Sequence, residues 1–269
     1  MAEARRRRRR GLLAAALLLP YPAALLCGMP AALPFDAVLT LGGVAYDAAL
    51  HAPQDGRRHL VVLQHGLWRS PWSMARLERA LRAHGYDVLN PGYPSTSCTI
   101  EEAASMLAAA IDAECAAGPR PVELSFVAHS MGGLVVQEYL RRPDARPFAR
   151  AVYIAVPHRG AVLCDLRKHW WPFPLLLGTG AALQLSPGDP FHRRAIPHPE
   201  RCGAIVGDVG DGNAAIPGRD DGTVAVGEAQ LGGAADTVVV PLGHTAIAGS
   251  AVTARQVLEF LARGRFAAR

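Results

Sequence analysis

The chain has 269 residues, half of them hydrophobic. That is enough for one sizeable core, and α/β folds of this length commonly form a single domain. The formal net charge of +5 comes from a tail: removing residues 1–10 takes away 6 of 28 basic and 1 of 23 acidic residues, which leaves 22 of each. A nucleic-acid binder carries its basic excess on the folded domain, so that class of function is set aside.

The N-terminus has the form of a targeting segment. Arg5–Arg10 make a basic n-region, and Gly11–Leu26 is an apolar run interrupted by Pro20 and Pro22. The run is shorter than the roughly 20 residues that a spanning helix needs. Residues 1–34 are therefore expected to be a signal peptide or a membrane anchor, and the protein exported or membrane-associated in a bacterial cell envelope. A mis-assigned start would leave it cytoplasmic. Residues 35–269 then form the folded domain.

From residue 59 the pattern alternates strand, turn and helix. His59–Gln64 is a short apolar run, as a fully buried parallel strand requires. Trp72–His84 has helical spacing, with Met74, Leu77 and Leu81 on one face and Gly85 to end it. Tyr86–Asn90 is the next strand and Pro91–Ser97 a loop. Thr99 and Glu102 form a capping box for a helix to about Ala117. Val122–Ala128 is a third strand, followed by a helix over Leu134–Arg141. Arg150–Val156, Gly203–Gly207 and Thr237–Val240 are further strands, and Thr245–Arg263 closes the chain as a helix. This alternation predicts an α/β class, with a mostly parallel sheet and helices on both faces.

Residues 157–202 interrupt the alternation. They hold Trp170, Trp171 and the apolar Leu175–Leu177, which suits a cap over the carboxyl ends of the strands or a peripheral packing segment. Cys164 and Cys202 flank this stretch. They are either a disulfide in an oxidising compartment or two small buried residues. No cysteines lie at metal-ligand spacing, and neither metal nor organic cofactor is expected.

The chemistry centres on Ala128-His129-Ser130-Met131-Gly132-Gly133, between a predicted strand and a predicted helix. This is a nucleophile elbow of the form A-x-S-x-G, in which small residues permit a sharp, strained turn that exposes the serine. Gln64-His65-Gly66-Leu67 ends the first strand, where a backbone N–H of Leu67 can pair with that of Met131 as an oxyanion hole. A base and its orienting acid must follow the serine in the order Asp/Glu, then His. His244 follows the last strand and suits the base. Asp221, before Gly222, suits the acid; Asp220 and Asp211 are neighbouring alternatives, and each is equally readable as a turn carboxylate.

The stretches 65–95, VAHSMGGLVVQEYL, DDGTV and GHTAI resemble bacterial α/β-hydrolase esterases and lipases, including the PGAP-like deacylases, over roughly residues 59–265. The departures are Ala128 in place of the elbow glycine and a short insertion. The resemblance implies an eight-strand-type core, carboxylic ester substrates, and a triad of Ser130 as nucleophile, Asp221 as acid and His244 as base, with Leu67 and Met131 as oxyanion donors. An acyltransferase or amidase on the same scaffold is the alternative reading, and a non-catalytic binding protein a further one. Trp68, Trp72 and Trp170–Leu177 suggest an apolar acyl site, which fits a lipid-like ester near a membrane.

Overall fold

A computed structural model describes residues 50–118, 120–168 and 180–268. Six strands stand among these residues: β1 (Arg58–Gln64), β2 (Asp87–Leu89), β3 (Val122–His129), β4 (Phe148–Ile154), β5 (Cys202–Gly207) and β6 (Asp236–Val240). They form one sheet in the order β2-β1-β3-β4-β5-β6, and every neighbouring pair is parallel. The sequence predicts all six. It does not predict that the sheet is wholly parallel, and the eight strands implied by the family resemblance are not reached among the described residues.

The inner strands are largely apolar on both sides because each side meets helices, and the edge strands β2 and β6 are partly exposed. Leu60, Val62, Leu124, Phe126 and Ala128 point to one layer, packed on α2 (Ile100–Ala116) and α3 (Met131–Leu140). Val61, Leu63, Val127 and Val152 point to the other, packed on α1 (Ala75–Ala83) and on the C-terminal helix Ala251–Arg263. The period of two in the strands thus divides one apolar run between two cores. The capping box that starts α2 is present: Thr99 Oγ1 accepts from the Glu102 N–H at 3.1 Å, and the Glu102 carboxylate accepts from the Thr99 N–H at 2.8 Å.

Two helix expectations are corrected. The helix after β3 starts at Met131, directly after Ser130, because Gly132 and Gly133 are helical despite their poor propensity. The predicted helix Thr245–Arg263 is two pieces, His244–Ala248 and Ala251–Arg263. Ser250 breaks it, because its hydroxyl caps the second piece through the Thr253 N–H at 2.9 Å.

The insertion has helical turns on either side of residues 169–179, which lie outside the described residues together with Trp170–Leu177. We label its pieces α4 (Val162–Arg167) and α5 (Ala181–Gln184). The Ala181 N–H donates to the Cys98 carbonyl at 2.8 Å, and Gln184 Oε1 accepts from the Ile100 N–H at 2.8 Å. α5 therefore docks on the N-terminal end of α2, at the carboxyl edge of the sheet. Cys98, Cys115, Cys164 and Cys202 are all free, so the Cys164–Cys202 disulfide is absent. Cys202 is instead enclosed in the core at the start of β5. The predicted leader, residues 1–34, lies outside the described residues. Among the described residues, no helix is long and apolar enough to cross a membrane.

Candidate active site

The strand order reverses between β1 and β3, so the chain leaves their carboxyl ends in opposite directions. A crevice at such a switch point is where open α/β sheets bind ligands. Ser130 follows β3 there and Gly66-Leu67 follow β1.

Ser130 has φ 54° and ψ −133°, a conformation that costs a non-glycine residue on the order of 1–3 kcal/mol. Surrounding contacts hold it. Its N–H donates to the Ile154 carbonyl at 2.9 Å, and its own carbonyl accepts from the Gly133 N–H at 2.9 Å. The glycines make room for this turn. A Cβ on Gly132 would lie 2.5 Å from the His65 carbonyl oxygen and closer still to that of Gln64. A Cβ on Gly66 would lie 2.9 Å from the Ser130 Cβ. Ala128 is fully buried and keeps its methyl group in the α2–α3 layer. The elbow therefore needs glycine two residues after the serine and tolerates alanine two residues before it.

His244 opens the short helix after β6. Its Nε2 lies 2.9 Å from Ser130 Oγ and its Nδ1 lies 2.7 Å from Asp221 Oδ2. The Asp221 carboxylate is buried, so it needs several donors. Oδ1 accepts from the N–H groups of Thr223 at 2.9 Å and Val224 at 2.7 Å. The His244 N–H also donates to the Asp221 carbonyl at 2.8 Å. With Nδ1–H given to the carboxylate, Nε2 presents a lone pair to the serine hydroxyl. Such a series can take a proton from Oγ and stabilise the resulting imidazolium.

The neighbouring carboxylates are engaged elsewhere. Asp220 is buried but turned into its own loop, where it accepts from the N–H groups of Gly222 and Asn213. Asp211 is exposed.

Leu67 follows β1 and Met131 opens the helix after Ser130, and no backbone carbonyl among the described residues takes up the N–H of either. Leu67 sits in a loop fixed from both sides. The Arg69 N–H donates to the Gly66 carbonyl at 3.2 Å, and the Tyr93 hydroxyl to the His65 carbonyl at 2.8 Å. Trp68, at φ 57°, donates its N–H to Ser95 Oγ at 3.1 Å. Ser95 carries no signal in the sequence beyond lying in a loop, since its partner is 27 residues away. Removing its hydroxyl frees a strained residue next to the Leu67 N–H. Ser95→Ala is expected to lower kcat for ester hydrolysis by about tenfold at nearly unchanged KM. Steady-state kinetics on a soluble ester checks this.

Burial pushes the His65 ring down to about 4 and the His158 ring down to about 3, from an ordinary value of 6.5. Both are therefore neutral at pH 7. Their folded values lie below the unfolded one, so the unfolded chain binds more protons at mildly acid pH. The stability this provides is complete above about pH 6.5 and is lost as pH falls toward 4. Between pH 7 and pH 5 each should contribute a loss of about 2 kcal/mol. Urea unfolding at the two pH values should show the lower midpoint at pH 5; equal midpoints would contradict it.

No curated protein matches this sequence. Among solved structures, the mature Bacillus licheniformis lipase BlEst2 superposes with a TM-score of 0.62 at 22% identity, covering 78% of this chain and 93% of that one. The metagenomic carboxyl esterase MGS0156 gives 0.53 at 17% identity, covering 73% and 67%. Phospholipase PlaB from Legionella pneumophila gives 0.52 at 16% identity, covering 64% of this chain and 45% of that one. At these identities the likeness is one of fold. The sequence itself matches the model of the alpha/beta hydrolase family over residues 60–264, and the chain belongs to that family.

Proposed function

We propose that this protein is a serine hydrolase that cleaves carboxylic esters through an acyl-enzyme on Ser130. The observation that carries the reading is the placement of His244 between Ser130 Oγ at 2.9 Å and Asp221 at 2.7 Å, at the switch point of an α/β-hydrolase sheet. Ser130 Oγ attacks the ester carbonyl carbon as its proton passes to His244 Nε2. The carbonyl oxygen becomes an oxyanion held by the Leu67 and Met131 N–H groups. His244 then gives the proton to the departing alkoxide, and an acyl group remains on Oγ. A water molecule gives a proton to His244 and adds to the acyl carbon. Its collapse returns the proton to Ser130 and releases the carboxylic acid. Asp221 keeps Nδ1 protonated throughout and stays ionised.

Two tryptophans support an apolar acyl group. Trp68 is half-buried in the oxyanion loop, and Trp72, four residues on, is 65% exposed. A lipid-like ester fits this rim, and export or membrane association through residues 1–34 would bring the protein to such substrates. That location rests on the composition of the leader alone.

The test is a chain-length series of p-nitrophenyl esters. The reading expects turnover, a pre-steady-state burst of p-nitrophenol, and a higher kcat/KM for longer acyl chains than for acetate. No turnover at any chain length would end it, and equal turnover of short and long esters would remove the apolar acyl site.

A further inference from the structure

We propose that His129 is a positioning residue that straps the base loop to the nucleophile strand. Its imidazole ties the backbone carbonyl of His244 to the end of β3, one residue before Ser130. The inference rests on the proposed role of His244 as general base.

His129 Nε2 lies 2.9 Å from the His244 carbonyl oxygen, across 115 residues of sequence. A carbonyl oxygen only accepts, so the ring proton is on Nε2 and Nδ1 is a bare lone pair. Nδ1 is buried with no hydrogen-bond partner among the described residues. The ring is 2% exposed and packs against the His244 ring at 4.9 Å. A polar ring enclosed behind the apolar Phe126–Ala128 stretch is costly unless it makes a bond, and the bond to His244 is the one its ring makes among the described residues.

The location gives that bond its use. Ser130 is held in a strained conformation by the end of β3, and His244 by the start of a five-residue helix. These segments approach each other only through tertiary contacts. The bond from His129 makes residues 129 and 130 carry both the nucleophile and the anchor of its base. Arg69 reinforces the loop from the other side, with Nη2 donating to Thr245 Oγ1 at 2.7 Å.

The strap is also electrically silent. Of the charged or titratable groups facing His129, the His244 ring, Arg69 and His65 disfavour a positive charge on it, and only the bond to the His244 carbonyl favours one. Burial acts the same way and is the larger cause, so the ring is held well below its usual range and stays neutral. A neutral ring can hold His244 without opposing the imidazolium that forms there.

The test compares three variants of the full chain. His129→Gln keeps an Nε2 donor, whereas His129→Phe keeps the ring without a donor and His129→Asn carries an amide too short to reach. Phe and Asn are expected to slow fluorophosphonate labelling and kcat for p-nitrophenyl acetate by about 10- to 100-fold with KM within about twofold, and Gln to recover to within about fivefold of wild type. If the Phe variant fails to fold, Asn carries the comparison. A second readout is the downfield proton resonance of His244 Nδ1–H, the bond to Asp221. It should shift and broaden in Phe and Asn and persist in Gln. Wild-type labelling rates with an unchanged resonance in Phe or Asn would overturn the strap. So would equal impairment of all three variants. If the wild type is not labelled at all, the ester-hydrolase reading fails, and the resonance comparison still decides whether His129 holds the base.

Discussion

Ser130→Ala is expected to lower kcat for ester hydrolysis by about 10⁶-fold, and His244→Ala by a similar factor. The double variant is expected to be no worse than either single one. The reason lies in the 2.9 Å contact between His244 Nε2 and Ser130 Oγ. The serine is a weak nucleophile without the base, and the base has nothing to deprotonate without the serine, so the loss is incurred once. Both variants should fold. Alanine at position 130 removes one hydroxyl and leaves the φ of 54° and the bond to Ile154 in place. Steady-state kinetics with a thermal melt checks both halves. Multiplicative losses in the double variant, or activity retained in Ser130→Ala, would contradict the account.

Asp221→Asn is expected to lower kcat by about 10⁴-fold with little change in KM. The asparagine oxygen would keep the bonds that Thr223 and Val224 donate to Asp221 Oδ1. Its amide would then point N–H at His244 Nδ1, where the carboxylate now accepts at 2.7 Å. His244 must respond by carrying its proton on Nε2, and in that tautomer it cannot accept from Ser130. Asp220→Asn provides the contrast. Asp220 accepts only backbone N–H bonds within its own loop, so its amide costs stability, on the order of 1–3 kcal/mol, and leaves the tautomer alone. Urea unfolding and kinetics on the two variants separate the effects. A larger loss of kcat in Asp220→Asn than in Asp221→Asn would reverse the assignment of the acid.

That contrast also marks what the sequence could convey. The six strands were legible because each carries a short apolar stretch, most of it buried, and turn residues punctuate them. The positions of Ser130 after β3 and His244 after β6 were legible because their surroundings follow from strand–turn–helix order. The choice between Asp220 and Asp221 was not. The two are adjacent and both are buried, and what separates them is the direction in which each side chain leaves the loop. The start of α3 was hidden for another reason. Gly132 and Gly133 read as loop on propensity, yet they are helical, and they are glycine because Gln64, His65 and Val156 leave no room for a Cβ. Ser95 and His129 are hydrogen-bonded to partners 27 and 115 residues away, and only the fold brings those pairs together.

The central claim is that Ser130 is the activated nucleophile. It is tested most directly by treating the full chain with a fluorophosphonate and mapping the adduct by tandem mass spectrometry. The account predicts a single phosphonyl group on Ser130, formed in step with the loss of p-nitrophenyl ester turnover and absent from Ser130→Ala. No adduct on the wild type, or an adduct that persists in Ser130→Ala, would contradict it.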